Sequence, residues 1–129
     1  MYEMKQEYLT GIKFIDDEHT KLFAIADECY ELLTNQFLPD KYDYIINVIN
    51  ELKDYARYHF KHEEEYMESI GYRRILSQKV AHSDFIEKID GYDSEKIDEG
   101  QKESLLELVD FLNTWLIEHI MKRDKQIAE

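Results

Sequence analysis

At 129 residues, with 43% hydrophobic and 35% charged content, the chain is one domain able to pack a core, not a disordered segment. A formal net charge of −13 argues against nucleic acid and anionic membrane surfaces as partners, since both would repel it. Cys29 is the only cysteine, which excludes an intrachain disulfide, and its place among Ala26, Tyr30 and Leu33 reads as a small core residue.

The opening residues lack the charged and apolar regions of a secretion signal, and no stretch reaches membrane-span length, so a reduced cytoplasm is the expected location. Residues 1–15 read as an N-terminal arm anchored by Tyr2, Tyr8, Ile12, Phe14 and Ile15. Asp16 or Asp17 is expected to cap the first helix, whose apolar stripe is Leu22, Phe23, Ala26, Cys29, Tyr30, Leu33 and Phe37. Pro39 ends that helix and suits the first turn of the second. The second helix runs to about Ser69, with Ile45, Val48, Ile49, Leu52, Tyr55, Ala56, His59 and Glu63 spaced by threes and fours. Gly71 supplies a turn. The third helix begins near Tyr72, carries Ile75, Gln78, His82, Phe85, Ile86 and Ile89, and ends at Gly91. The run from Gly91 to Gly100 is polar and turn-rich, and is expected to be a loop. The last helix bears Leu105, Leu108, Val109, Leu112, Trp115, Leu116, His119 and Ile120. The whole predicts an all-α domain over residues 1–129: the arm, then an up-down-up-down four-helix bundle over 16–125.

In that topology the first helix starts, the second ends, the third starts and the fourth ends at one end of the bundle. His19, His59, Glu63, Gln78, His82 and His119 then fall within about two or three helical turns of one another along the axis. His59 and Glu63 are four apart and share one face of their helix. A buried, unpaired glutamate would be costly, and a cation in the core would remove that cost; the other reading turns Glu63 outward beside Glu64 and Glu65. Each histidine alone reads as a satisfied core imidazole. Together, imidazoles and carboxylates in an apolar core suit a transition metal such as iron. Asp124 lies five residues after His119, about 140° around an ideal helix, so it joins them only if the helix unwinds or bulges there. Otherwise it is a carboxylate among Lys122, Arg123 and Lys125.

The segments His59-Phe60-x-x-Glu63-Glu64-x-x-Met67, Trp115-Leu116-x-x-His119-Ile120 and His119-x4-Asp124 resemble the hemerythrin family, in particular the single-domain bacteriohemerythrins. The stretch from Gly11-Ile12 through Asp17-x-His19-x-x-Leu22-Phe23 is similar to the family's first-helix signature, and the likeness covers roughly residues 9–125. It implies a centre of two non-haem iron ions that binds O2 reversibly. By position, His19 and His59 would ligate the iron with the open coordination site. Glu63 and Asp124 would bridge both irons, and His82 and His119 would serve the other. Trp115 and Leu116 match residues that wall the O2 pocket, with Tyr55 and Phe60 as further wall candidates.

The departure from the family pattern is Gln78, where a histidine four residues before His82 is expected. A neutral amide oxygen is a poor iron ligand beside an imidazole, so the second iron is expected to hold a weak amide contact or a water and to bind less tightly. His62, three residues from His59, is a remote substitute for the lost ligand and otherwise faces solvent. The resulting expectation is an O2-binding protein: a carrier, store or sensor, acting as a monomer or weak homo-oligomer. The alternative is a di-iron peroxidase- or oxidase-like scavenger of O2, peroxide or NO. A third reading is a degenerate bundle with one metal or none that serves as an interaction module. No phosphate loop, nucleophile elbow, paired CxxC or basic patch points to another enzyme class.

Overall fold

The computed structural model describes residues 4–35, 37, 40–92 and 94–128, with the side chains of 94 and 96 left out. Tyr2 and Pro39 lie outside the described residues. A single 3-10 turn, Gln6–Tyr8, precedes helices α1 (Lys13–Thr34), α2 (Tyr42–Ser69), α3 (Ile75–Asp90), α4 (Ser94–Glu99) and α5 (Gln101–His119). A π-helical turn, Ile120–Asp124, and α6 (Lys125–Ile127) continue α5. The backbone stays right-handed helical through Ile120 and Lys125, so these three pieces are one helix with a widened turn inside it. No strand occurs among the described residues.

Helix α1 packs on α2 and α5, and α2 packs on α3. Phe85 of α3 closes the interior against Trp115 of α5, with ring centroids 4.4 Å apart. The core follows the threes-and-fours stripe: Leu22, Phe23, Ala26 and Cys29 from α1, Ile45, Val48, Ile49, Leu52 and Ala56 from α2, and Leu105, Leu108, Leu112 and Leu116 from α5 are buried. Tyr8 and Ile15 are buried as expected of anchors, and Tyr8 stacks on Phe23 at 5.5 Å.

Four local expectations are corrected. Helix α1 starts at Lys13, so Asp16 and Asp17 are not its caps. Asp16 lies in the first turn and reaches back instead, accepting from the Thr10 and Gly11 backbone N–H groups and the Thr10 hydroxyl. Donors just before the helix are satisfied from inside it, an arrangement related to a capping box. Phe37 is not on the stripe: α1 ends at Thr34, and Phe37 is 92% exposed. Helix α3 begins at Ile75, after a turn rather than at Tyr72. The stretch from Gly91 to Gly100 is not a loop but holds α4, seated by the buried Tyr92 and Ile97.

Gly71 does what its position suggests. Its φ is 64°, and the N–H groups of Gly71 and Tyr72 bond back to the carbonyls of Glu68 and Met67, a Schellman ending for α2. That tight reversal sets α3 beside α2 and brings Gln78 and His82 to the level of His59 and Glu63. At the other end, Asp40 accepts from the Tyr42 N–H and the Gln101 amide, while Gln101 accepts from the Lys41 N–H. This exchange ties the start of α2 to the start of α5. Among the described residues no helix is long and apolar enough to cross a membrane.

Candidate metal centre

All six residues expected as ligands come together and are buried. His19 sits in the second turn of α1, His59 and Glu63 in α2, His82 in α3, His119 at the end of α5 and Asp124 at the end of the π turn. The widened turn carries hydrogen bonds from i to i+5, so a residue five positions after His119 returns to its side of the helix. This is the bulge that the spacing of Asp124 required.

Each carboxylate sits between two groups of imidazoles. Glu63 Oε2 is 3.3 Å from His59 Nε2 and 3.5 Å from His19 Nε2, while its Oε1 is 3.2 Å from His82 Nε2. Asp124 Oδ2 is 2.9 Å from His19 Nε2, and its Oδ1 is 3.1 Å from His119 Nε2. The outcome is two sets of four donor atoms, one of His19, His59, Glu63 and Asp124, the other of Glu63, His82, His119 and Asp124. Within each set the atoms lie within 4.8 Å of one another. Ligands on opposite sides of an ion at ~2.1 Å stand ~4.2 Å apart, so either set is close to what one ion needs.

Protein hydrogen bonds do not satisfy this cluster. His19 Nε2, both Glu63 oxygens, His82 Nε2, His119 Nε2 and Asp124 Oδ2 are buried with no hydrogen-bond partner. The nitrogen–oxygen distances in these pairs are only 2.9–3.5 Å, yet none of the pairs forms a hydrogen bond. Orphaned polar atoms in a core are rare and costly. Metal ions would satisfy them all at once, and neutral imidazole with carboxylate suits a first-row transition metal.

Charge is poised in the same sense. Burial would raise the Glu63 carboxyl, but His59, with help from His19 and His82, holds it well below the usual range. Burial and the charge of Glu63 would raise Asp124, and His119 and His19 outweigh them. Burial would lower His59, yet Glu63 and Glu18 push it up to about 10. His19 is raised against its burial by Asp124 and Glu63. Without metal, then, the surroundings favour the ionised form of Glu63 and Asp124 and the protonated form of His19 and His59.

Two further carboxylates, which the periodicity did not single out, orient the rings. His59 Nδ1 donates to Glu18 Oε1 at 2.7 Å, and His82 Nδ1 donates to Glu64 Oε2 at 2.9 Å. Each bond turns the other nitrogen, Nε2, toward the centre, a usual support for a ligating histidine. Glu18 Oε2 also accepts from His62 Nδ1 at 2.8 Å, so His62 sits on the outer side of Glu18 and does not replace a ligand near Gln78. Burial would raise the Glu18 carboxyl, and its bonds to His59 and His62 lower it instead. Phe60 stacks on His82 at 4.0 Å and Trp115 on His119 at 4.3 Å, and Leu116 is buried beside them. Tyr55 is half-buried. Gln78 is 2% exposed; its Nε2 donates to Asp124 Oδ1 at 3.3 Å, and its Oε1 has no partner.

Residues 10–129 match the family described as Hemerythrin HHE cation binding domain. The chain is 45% identical over 129 residues to a bacteriohemerythrin of Clostridium acetobutylicum, a match covering all of both chains. It is 30% identical over 115 residues to a bacteriohemerythrin of Pseudomonas aeruginosa, covering 89% of this chain and 71% of that one. It is also 30% identical over 117 residues to a hemerythrin of Themiste dyscrita, covering 91% and 82%.

Proposed function

The chain belongs to the hemerythrin family, and from that premise we propose that its buried cluster holds two non-haem iron ions and serves reversible O2 binding, as a carrier, store or sensor. The observation that carries this reading is the pair of overlapping donor sets that share Glu63 and Asp124. In it His19 and His59 would hold the first iron and His82 and His119 the second, with Glu63 and Asp124 available to both. When bound, the iron pair supplies the electrons and the open position that O2 needs. Trp115 and Leu116 form the apolar wall of the O2 site and keep water from it. The helices are read as an up-down-up-down four-helix bundle carrying an N-terminal arm, with α4 inserted between its third and fourth members. A cytoplasmic monomer or weak homo-oligomer is the working form.

Gln78 sets this chain apart. Its amide nitrogen is committed to Asp124, so the residue orients a bridging carboxylate and offers at most a weak oxygen donor. The second ion is accordingly held less tightly than the first. Its unpartnered buried oxygen also favours one second reading, a scavenger that reduces O2, peroxide or NO at the position left open.

Anaerobic reduction followed by cycles of O2 exposure and removal, with the visible spectrum recorded, tests the reading. Spectra that return to the reduced form in each cycle support reversible binding. Irreversible oxidation in the first cycle, with reductant consumed on every later exposure, would replace it by the scavenger.

A further inference from the structure

We propose that the outer face of α3, beside the metal centre, is a docking surface for a small acidic protein that carries single electrons. From Ser69 to Ser83 no aspartate or glutamate occurs, the longest such run in a chain with 29 of them. The first half of α3 lies in that run. Its inner face buries Gln78 and His82, while Leu76 and Val80, one turn apart on the opposite face, are 75% and 61% exposed. A single exposed apolar residue is ordinary, but a pair on one helix face in the acid-free part of an acidic chain marks a contact surface.

Cations ring this pair. Arg73 and Arg74 precede the helix, and Lys79 is on it. Arg123 of the π turn donates to Ser77 Oγ at 2.7 Å, which brings that turn, with Lys122, against the flank of α3. The lysine and arginine ion pairs among the described residues use Lys13, Lys53, Arg57 and Lys79, so Arg73, Arg74, Lys122 and Arg123 keep their charge uncancelled. An apolar centre with a charged rim is the anatomy of a protein interface, and its small size suits the brief encounters of electron-transfer proteins. Positive charge calls for an acidic partner. At physiological salt, charges beyond about 8 Å are largely screened, so a docked partner senses this face rather than the net −13. The wider repulsion keeps the complex short-lived, as suits a carrier that must leave.

Position makes electrons the cargo. Two of the buried histidines reach recesses that border the face: His82 lines a groove with Lys79, and His119 lines a recess with Lys122 and Arg123. Both belong to the same donor set. A carrier seated on Leu76 and Val80 has only the width of one helix, ~10 Å, between it and the centre. The inference rests on the proposed iron pair: each docking passes one electron, oxidising the carrier by one and reducing one ferric ion to ferrous, with no bond made or broken.

The probe is a plant-type ferredoxin, a small acidic iron–sulfur protein. Fluorescence anisotropy of the labelled probe, titrated with the iron-loaded full chain at physiological salt, reads docking. Stopped-flow mixing of the reduced probe with the oxidised chain reads transfer. Saturable binding followed by transfer is expected. Arg73 and Lys122 make no hydrogen bond or ion pair among the described residues, so Arg73→Glu with Lys122→Glu reverses charge without removing a contact of the fold. The double variant should weaken binding by about tenfold or more, and Leu76→Ser by about threefold. Lys102→Glu, exposed at the start of α5, should change it by less than about twofold. No saturable binding, an equal loss in the Lys102 variant, or a bound ferredoxin that passes no electron to a chain that dithionite reduces would overturn the proposal. A chain that neither reductant reduces would refute the iron reading instead, and the binding series would still decide the docking face.

Discussion

Glu18 offers the sharpest perturbation, because it acts on the metal centre through a single bond. It is 7% exposed, its Oε1 holds His59 Nδ1 at 2.7 Å, and its Oε2 holds His62 Nδ1 at 2.8 Å. Glu18→Ala frees the His59 ring to rotate and leaves a buried N–H without an acceptor. Removing such an orienting carboxylate costs ~10–100-fold in metal affinity, or ~1.4–2.8 kcal/mol. His59 is 1% exposed, so water cannot replace the lost acceptor, and the upper half of that range is expected. The loss should fall on the ion held by His19 and His59. Glu64→Ala, which frees His82, should fall on the other ion and nearer tenfold, because the Glu64 side chain is 28% exposed and water can substitute. His62→Ala keeps the bond to His59 and should change affinity by less than about threefold. Competition with a chromophoric chelator, read as two binding steps, measures all three. Equal weakening of both steps by Glu18→Ala in a folded protein, or no weakening, would refute the reasoning.

Other consequences are as definite. Gln78→His restores an imidazole beside His82, so the weaker of the two metal-binding steps should tighten by about tenfold or more in the same titration. Gly71→Ala places a side chain at a φ of 64°, and denaturant unfolding should show a loss of about 1–2 kcal/mol. His59 is raised from 6.5 to about 10 in the folded, metal-free protein, so its stabilising contribution is full below 6.5 and is lost as pH rises through about 10. Glu63 and Asp124 are lowered, so theirs is present above the ordinary values of 4.5 and 3.8 and is lost at more acidic pH. Urea midpoints of the metal-free protein should therefore peak between about 4.5 and 6.5 and decline toward alkaline pH; a profile still rising past pH 8 would contradict the sign. For the same reason metal uptake at pH 7 should release about one or more protons per chain, measurable with an indicator dye.

The ligand positions were legible because helices report themselves through spacing. His59 and Glu63 belong to the same run of threes and fours as Leu52 and Ala56, so burying the apolar residues buries the ligands too. Asp124 was readable only conditionally, since its offset from His119 demanded a departure from α-helical geometry that no local residue announces; the π turn supplies it. Glu18 and Glu64 were not legible as orienting groups. Each neighbours a ligand in a chain rich in glutamate, and only the assembled helices show which imidazole it meets. Helix α4 escaped notice because a turn and a half with one buried isoleucine, Ile97, carries no periodicity against a polar background. Phe37 misled in the opposite direction: its spacing extended the stripe, but the helix ends at Thr34.

The most direct test of the central claim is an iron count after anaerobic loading and desalting, made on the wild-type chain and on Glu63→Gln. Because Glu63 faces both groups of imidazoles through its two oxygens, two irons per chain are expected in the wild type, and both affinities should fall together in the variant. One iron per wild-type chain, or a variant that loses a single iron and keeps the other at full affinity, would contradict a shared centre.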